Sequence, residues 1–291
     1  MNIITGKTKL IGLIGNPIEH SKSPQLHNLI SETLKNDIAY VPFRVNKIDL
    51  EDAMLGLIAV NALGFNVTVP YKKDVMKYVD EISKDALLMG AINTVKNNEG
   101  TLHGYNTDAE GFLRAFKEEM GTGFNGKKVV ILGAGGAARA ITVKVASELA
   151  ERISIINRTK ANAGDLADLI NDNVKNVAKG YGTGDSGLKL VFKESDIIIN
   201  TTSVGMLPDV ESTPLKHVEY LKPAHIVYDI VYNPEKTRML QDAEKVGCKV
   251  ANGLKMLFYQ GVYAYEIWTC NKISEEQIKK IYPAFLDIIK G

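Results

Sequence analysis

The stretch KVVILGAGGAARA occupies residues 128–140 and is the part of the chain that decides the fold. The apolar run at 128–132 predicts a buried strand, and the glycines after it lead into a helix-forming run. Gly133, Gly135 and Ala138 match the spacing G-x-G-x-x-A, in which the first glycine makes a tight turn and the second lets a diphosphate approach the backbone. We therefore predict a dinucleotide-phosphate loop over the helix N-terminus, made of Gly133, Ala134, Gly135, Gly136 and Ala137.

The next predicted strand ends at Asn157 and is followed by Arg158, Thr159 and Lys160. An NAD site commonly has an acidic residue here for the ribose 2′-hydroxyl, whereas cations and hydroxyls suit the 2′-phosphate of NADP. Arg158 can pair with a phosphate and stack on adenine, while Thr159 can donate its hydroxyl and Lys160 can add charge. We predict that these four residues bind the cofactor and favour NADP, with NAD as the alternative.

Strand-like and helix-like runs alternate along the chain, which predicts an α/β protein with two wound domains. A glycine-rich break at 121–126 serves as a linker. We predict an N-terminal substrate domain, residues 1–120 with 254–291, whose mixed, mostly parallel sheet contains a hairpin at 97–100. Residues 121–253 would form a Rossmann-type dinucleotide-binding domain, with a weak third strand within 171–187, where any loop insertion would lie. We also expect a helical stretch over 71–80.

Composition excludes several classes of partner. The 291 residues carry a net charge of +1, so neither nucleic acid nor an anionic membrane is an expected partner, and the substrate should be a small molecule. Cys248 and Cys270 lack disulfide-framework or metal-ligand spacing, so no metal site is predicted. With no signal peptide or bilayer-spanning stretch visible, a cytoplasmic location is expected. Both a monomer and a homodimer are compatible with the sequence.

Lys72 and Asp108 each follow a predicted strand, and strand ends in an α/β sheet converge on one crevice. A lysine beside an aspartate can donate a proton to a developing alkoxide or accept one from an alcohol. Taken alone, these two residues are better explained as a surface lysine and an aspartate at a helix N-terminus. The polar residues around them favour a socket for a polyhydroxylated ring, because a core would prefer apolar side chains in these strand-like segments: Asn66, Thr68, Asn93, Asn106 and Thr107.

Two serines near the start of the chain point to an acidic ligand. Ser21 and Ser23 lie two positions apart, just before a helix predicted to begin at Pro24. Ser23 is also suited to be the N-cap of that helix, which would be a structural role. Hydroxyls beside a helix N-terminus suit a carboxylate group.

Nine motifs, in order along nearly the whole chain, resemble those of the shikimate dehydrogenase family, whose members reduce 3-dehydroshikimate to shikimate with NADPH in aromatic amino acid biosynthesis. They are HSKSP (20–24), NVTVPYK (66–72), GAINT (90–94), GYNTD (104–108), GAGGAARA (133–140), NRT (157–159), TTSVGM (201–206), YDIVYNP (228–234) and NGLKMLFYQG (252–261).

The resemblance implies roles for individual residues. Lys72 and Asp108 would form the catalytic pair, and Ser21 with Ser23 would bind the substrate carboxylate. Contacts with ring hydroxyls or their neighbours would come from Asn66, Thr68, Asn93, Tyr232 and Gln260. The nicotinamide side of the crevice would be lined by Thr201, Ser203, Val204, Ile230, Gly253 and Met256.

One departure leaves alternatives open. Relatives that prefer NADP often carry a second basic residue three positions beyond the threonine of NRT, and this chain has Asn162 there. Lys160 can compensate for it. A quinate/shikimate dehydrogenase that uses NAD is the nearest alternative, and a ligand sensor that has lost catalysis is a more distant one. Methylene-folate dehydrogenases fit the cofactor half alone, and HSKSP and NVTVPYK disfavour them.

Overall fold

The computed structural model describes residues 4–290. It divides into two compact units, of which one contains the described residues up to Thr107 and those from Gln260 onward. The other is Asp108–Tyr259. Residues 108–120 and 254–259 thus group with the second unit, whereas our boundaries assign them to the first domain. Those boundaries stay a prediction.

The strands and helices follow one another in the alternation that the sequence predicts. The strands are β1 (Lys9–Gly15), β2 (Ile38–Arg44), β3 (Gly64–Val67), β4 (Glu81–Ile82), β5 (Thr94–Asn98), β6 (Thr101–Tyr105), β7 (Lys128–Leu132), β8 (Arg152–Asn157), β9 (Ala178–Gly182), β10 (Ile197–Asn200), β11 (Ile226–Asp229) and β12 (Lys249–Ala251). The α-helices are α1 (Ser23–Leu34), α2 (Leu50–Ala59), α3 (Lys84–Met89), α4 (Asp108–Met120), α5 (Gly136–Ser147), α6 (Lys160–Asn173), α7 (Leu188–Glu194), α8 (Arg238–Val246), α9 (Leu254–Thr269) and α10 (Glu275–Lys290). Short 3₁₀ turns cover Lys47–Asp49, Asp74–Tyr78 and Val218–Tyr220.

The first unit contains a mixed six-stranded sheet in the order β2-β1-β3-β5-β6-β4. Strands β1, β2 and β3 are parallel, and β5 runs antiparallel to both β3 and β6. The predicted hairpin between β5 and β6 is confirmed, with Glu99 and Gly100 in the left-handed conformation. All four residues of β3 are buried, so Asn66 lies where an apolar side chain would otherwise be expected.

The second unit contains six parallel strands in the order β12-β11-β10-β7-β8-β9. Counted from β7 along the chain, this is the 3-2-1-4-5-6 order of a doubly wound nucleotide-binding sheet. The point where the order reverses lies between β7 and β10. The predicted α/β class with a Rossmann-type unit is confirmed.

Two stretches with weak signals in the sequence take a defined structure. Within 171–187 the weak third strand forms as β9, which pairs in regular register with β8. A Cβ on Gly180 would lie 2.5 Å from backbone atoms of Ala163 and Gly164, so that glycine allows α6 to pack directly on the strand. The helical stretch expected over 71–80 is confirmed in part, as the 3₁₀ turn Asp74–Tyr78. Before it, Tyr71 is buried and its hydroxyl donates to Val45 O at 2.7 Å.

The described residues also bear on membranes and metals. Within residues 4–290, no helix combines the length and the apolar character that crossing a bilayer requires. The same residues contain no group of three or more His, Cys, Asp or Glu side chains arranged to hold a metal ion.

Candidate active site

The first unit contains a buried cluster of amides and hydroxyls where β3 and β5 lie side by side, here called the amide cluster: Tyr40, Asn66, Asn93, Thr94 and Thr107. The Tyr40 hydroxyl donates to Asn66 Oδ1 at 2.8 Å. Asn66 Nδ2 donates in turn to Asn93 O at 2.9 Å and to Thr94 Oγ1 at 3.0 Å. Each amide is therefore held in one orientation, as a preorganised binding surface requires.

Asn93 connects this cluster to the end of β6. Its Nδ2 donates to Thr107 Oγ1 at 2.9 Å, and its Oδ1 accepts from Thr107 N at 2.8 Å. Asn106 is buried beside it and donates to Ala91 O at 3.0 Å. The structure thus brings together Asn66, Asn93, Asn106 and Thr107, which the sequence singled out, and adds Tyr40 and Thr94. Of the two added residues, only Thr94 was indicated by the sequence, as the last residue of the GAINT motif.

Thr68 and Lys72 lie in the turn after β3. A Cβ on Gly15 would lie 2.3 Å from Thr68 Cγ2, so glycine at the end of β1 gives the Thr68 side chain its space. Lys72 is half-buried, and its carbonyl accepts from Ile92 N at 2.8 Å. The backbone of Lys72 is therefore fixed against the segment that carries Asn93.

The serine pair lies at the start of α1, and here the predicted cap is wrong. Lys22 is the N-cap and Ser23 is already the first helical residue, with no side-chain cap. Ser21 Oγ accepts from Ser23 N at 3.3 Å. The Ser23 hydroxyl therefore does not cap the helix. The first turn of α1 has no acidic side chain that would compete with a bound anion.

Asp108 directly follows Thr107 in the chain and is the first residue of α4 in the second unit, where it is half-buried. Gln260, at the point where the first unit resumes, is 9% exposed. Both the helical start at Asp108 and the buried amide at Gln260 agree with their predicted surroundings. Their roles stay predictions.

The glycine-rich loop of the second unit joins β7 to α5, as its motif predicts. Gly133 has φ of 109°, and a Cβ there would lie within 3 Å of Thr201 Oγ1 and Thr202 Cγ2. A Cβ on Gly135 or Gly136 would meet no atom within 4 Å. The α5 N-terminus has neither a side-chain cap nor an acidic residue in its first turn. Its free N–H groups and the open space beside them fit a diphosphate.

The segment after β8 carries the predicted ribose-binding residues, Arg158, Thr159 and Lys160, which are exposed. Asn157 Nδ2 donates to Thr159 O at 3.0 Å, which shapes the turn. Lys160 Nζ lies 2.9 Å from Asp185 Oδ2, a partner that the sequence did not predict.

A second polar cluster links the ends of β10 and β11 and is here called the carboxylate cluster: Asn200, Thr202, Asp229 and Thr237. Asp229 accepts from Asn200 Nδ2 at 2.8 Å, from Val231 N at 3.0 Å and from Thr237 Oγ1 at 2.7 Å. Asn200 Oδ1 accepts from Thr202 N at 3.0 Å. Burial raises the pKa of the Asp229 carboxyl to about 6, although the three donors oppose that rise.

The carboxylate cluster holds the two segments that carry the predicted nicotinamide-side residues. Thr201 is fixed by its hydroxyl, which donates to Leu132 O at 2.7 Å, whereas Ser203 and Val204 are exposed. A Cβ on Gly253 would lie 1.9 Å from Ile230 O, so only glycine fits beside that residue. Met256 is half-buried in α9, and burial raises the pKa of the Tyr232 hydroxyl. The sequence did not indicate that Asp229 would support these residues.

Comparison with known proteins agrees with this geometry. The family model described as the shikimate dehydrogenase substrate binding domain matches residues 13–95, and the one described as shikimate / quinate 5-dehydrogenase matches residues 115–230. A curated relative from Desulforamulus reducens, named shikimate dehydrogenase (NADP(+)), is 43% identical over 266 residues, which is 91% of either chain.

Two solved structures resemble the whole chain. The shikimate 5-dehydrogenase of Listeria monocytogenes, in complex with shikimate and NAD, is 43% identical, with a TM-score of 0.90 over 97% of this chain and 98% of that one. A shikimate dehydrogenase in complex with NADP+ is 40% identical, with a TM-score of 0.88 over 99% of this chain and 98% of that one. With this identity over nearly its full length, the chain belongs to the shikimate dehydrogenase family.

Proposed function

We propose that the chain catalyses the reversible, NADP-dependent reduction of 3-dehydroshikimate to shikimate. The amide cluster carries this proposal, because a buried array of fixed amides and hydroxyls suits a ring with several hydroxyl groups and has no packing role that an apolar core would not fill better. Asn66 Nδ2 donates its two protons to Asn93 O and Thr94 Oγ1. Asn66 Oδ1 accepts from the Tyr40 hydroxyl and keeps one lone pair for a substrate hydroxyl.

The remaining substrate contacts follow from the positions of the predicted residues. Ser21 and Ser23 bind the carboxylate, with hydroxyls beside the unneutralised N-terminus of α1. The ring hydroxyls are bound by Asn66 and Asn93, with further contacts from Thr68, Tyr232 and Gln260. A substrate held at both its carboxylate and its hydroxyls presents the carbonyl carbon in a single orientation.

Lys72 and Asp108 perform the proton transfer. The Lys72 ammonium donates a proton to the carbonyl oxygen during reduction, and the neutral amine accepts it back during oxidation. Asp108 orients the ammonium toward the carbonyl oxygen. Lys72 suits this task because its backbone is fixed by the bond from Ile92 N.

The second unit binds the cofactor, which supplies or accepts the hydride. The diphosphate lies over Gly133, Ala134, Gly135, Gly136 and Ala137, where the missing Cβ atoms of Gly135 and Gly136 leave room. Asn157, Arg158, Thr159 and Lys160 bind the adenosine end. The nicotinamide side is lined by Thr201, Ser203, Val204, Ile230, Gly253 and Met256.

Three further expectations belong to the same proposal and concern the location, the domain boundaries and the oligomeric state. The chain works in the cytoplasm, where its substrate and NADPH are produced and used. Its catalytic domain comprises residues 1–120 with 254–291, and its cofactor domain comprises residues 121–253. A homodimer is the oligomeric state we propose, and sedimentation of the purified protein tests it.

The decisive experiment follows nicotinamide absorbance with shikimate and quinate, each combined with NADP and NAD. Turnover with shikimate and NADP, at least tenfold more efficient than with any other pair, is the expected result. Preferred turnover of quinate would move the chain to the quinate-oxidising branch of the family. No turnover of either acid, with the cofactor still bound, would favour a sensor that has lost catalysis.

A further inference from the structure

A lysine and a carboxylate meet beyond the ends of β8 and β9. Lys160 Nζ lies 2.9 Å from Asp185 Oδ2. Asp185 belongs to the turn after β9, whose last residue, Gly182, is in register with Asn157 at the end of β8. In a wound nucleotide-binding unit the adenosine ribose lies beyond the end of this second strand. The pair is therefore placed where the 2′-hydroxyl of NAD or the 2′-phosphate of NADP binds.

Local bonds hold Asp185 in position. Its Oδ2 also accepts from Gly182 N at 3.2 Å. A Cβ on Gly182 would lie 3.4 Å from both Asp185 Oδ1 and Lys160 Cβ, so the three residues are closely packed. The Lys160 ammonium and then the Gly182 N–H hold the pKa of the Asp185 carboxyl below its ordinary value. The carboxylate is therefore ionised at neutral pH.

The helix that Lys160 begins explains why the pair forms. Lys160 is the first residue of α6, whose first turn has no acidic side chain and whose N-cap, Thr159, makes no side-chain cap. A cation is unfavourable at this positive end of a helix, and the nearby Asp185 carboxylate offsets it. The Lys160 ammonium thus already has a carboxylate partner within the protein. A bound phosphate would compete with Asp185 for that ammonium.

Few other cations remain for a 2′-phosphate at this strand end. Arg158 is exposed and, in the part of the chain that the structure describes, it has no ion pair. Asn162, also exposed, brings no charge. While Lys160 stays paired with Asp185, Arg158 would be the main cation for the phosphate, with a carboxylate close by.

We infer that Asp185 is a specificity-determining residue, which weakens the preference for NADP over NAD by neutralising Lys160. The inference deepens the proposed function and takes from it the use of a nicotinamide dinucleotide. Freeing the Lys160 ammonium from Asp185 to pair with a doubly charged phosphate in partly exposed surroundings changes affinity by about tenfold. The uncharged 2′-hydroxyl of NAD does not respond in this way.

The test titrates NADP+ and NAD+ into the wild type, Asp185→Asn and Asp168→Asn by calorimetry at low salt. Asp168 is an exposed residue of the same helix, α6, so its substitution makes the same charge change away from the ribose end. Asp185→Asn should tighten NADP+ about tenfold and leave NAD+ within about twofold, and Asp168→Asn should change neither. A gain in NADP+ affinity below about twofold, or an equal gain in Asp168→Asn, would overturn the inference.

A double-mutant cycle separates neutralisation of Lys160 from direct repulsion. In a Lys160→Gln background, Asp185→Asn should tighten NADP+ by less than about threefold, because the charge that Asp185 offsets is gone. A full tenfold gain without Lys160 would overturn neutralisation as the cause. Since these titrations need no substrate, absent shikimate turnover would defeat the proposed function while leaving the binding result intact.

Discussion

The amide cluster of the first unit and the carboxylate cluster of the second both hold chain segments in place, but they are built from different chemical groups. Both place buried polar groups at strand ends, and both fix the segments that follow those strands. The first is built from amides and hydroxyls that bond one another through Asn66 and Asn93. The second is centred on one carboxylate, Asp229, which accepts from three donors.

This difference gives the two clusters different responses to pH. In the amide cluster, burial raises the pKa of Tyr40 well above its usual value. His27, which stacks on the Tyr40 ring at 4.3 Å, has its pKa lowered by burial to about 3 and stays neutral. The pKa of Asp229 is raised to about 6, within reach of mild acid. The amide cluster should therefore keep one protonation state over the pH range in which the carboxylate cluster changes its own.

The largest expected effect belongs to a residue in neither cluster. If the clusters position the bound substrate and cofactor while Lys72 transfers the proton, Lys72→Ala should lower kcat about 100-fold or more with a smaller change in KM. Steady-state rates with shikimate and NADP measure this. Lys73→Ala, at the exposed neighbouring position, should leave both constants within about twofold. A loss confined to KM would assign Lys72 to binding instead.

The pH dependence of unfolding distinguishes the clusters next. Because the folded pKa of Asp229 is raised from 3.8 to about 6, its contribution to stability is fully present below the unfolded value and is lost as pH rises through about 6. The unfolding free energy of the wild type should therefore fall relative to that of Asp229→Asn between about pH 4 and 7. The shift corresponds to about 2–3 kcal/mol.

Urea denaturation of both proteins across this range measures the difference. Asp168→Asn, an exposed change of the same kind, should follow the wild type in parallel. An Asp229→Asn curve that stays parallel to the wild type from pH 4 to 7 would mean that the carboxyl titrates normally. A curve that diverges with increasing pH, with the wild type becoming relatively more stable, would reverse the sign.

Substitutions in the amide cluster, by contrast, should have effects that do not depend on pH. Asn66→Ala removes the acceptor proposed for a ring hydroxyl and should raise the KM for shikimate about tenfold, through the loss of about one buried hydrogen bond. The factor should be the same at pH 6 and pH 8, since the cluster keeps its protonation state. Asn98→Ala, at the exposed end of β5, is the matched control. A factor that changes severalfold between these pH values would link the cluster to a titrating group.

The fold was predictable because its signals are local. The apolar run 128–132 followed by Gly133 and Gly135 specifies strand, turn and helix within a few residues, and the structure has β7 and α5 there. The polar residues of the substrate side were visible for the same reason, since Asn66 and Asn93 interrupt apolar segments. The signal for β9 was weak because a glycine that permits close packing has the same letter as one that makes a turn.

Contacts between distant segments were not predictable in this way. Tyr40 lies in an apolar strand, and its hydroxyl reaches Asn66 only when β2 and β3 pair with opposite edges of β1 in the sheet. Asp229 and Asp185 likewise gain their roles from Asn200 and Lys160, which no spacing in the sequence connects to them. The predicted cap at Ser23 was wrong by a single position, because the helix begins at that serine and Lys22 is its N-cap.

The smallest expected effect tests whether the amide cluster is redundant. Tyr40→Phe removes the hydroxyl that donates to Asn66 Oδ1 and keeps the ring that stacks on His27. Asn66 stays held by its two Nδ2 bonds, so the KM for shikimate should rise only about threefold, with the KM for NADP unchanged. In an Asn66→Ala background the substitution should add almost nothing, because its effect passes through that amide. An additive effect in the double variant would mean that Tyr40 contacts the substrate itself, and the cluster would then gain a further binding group.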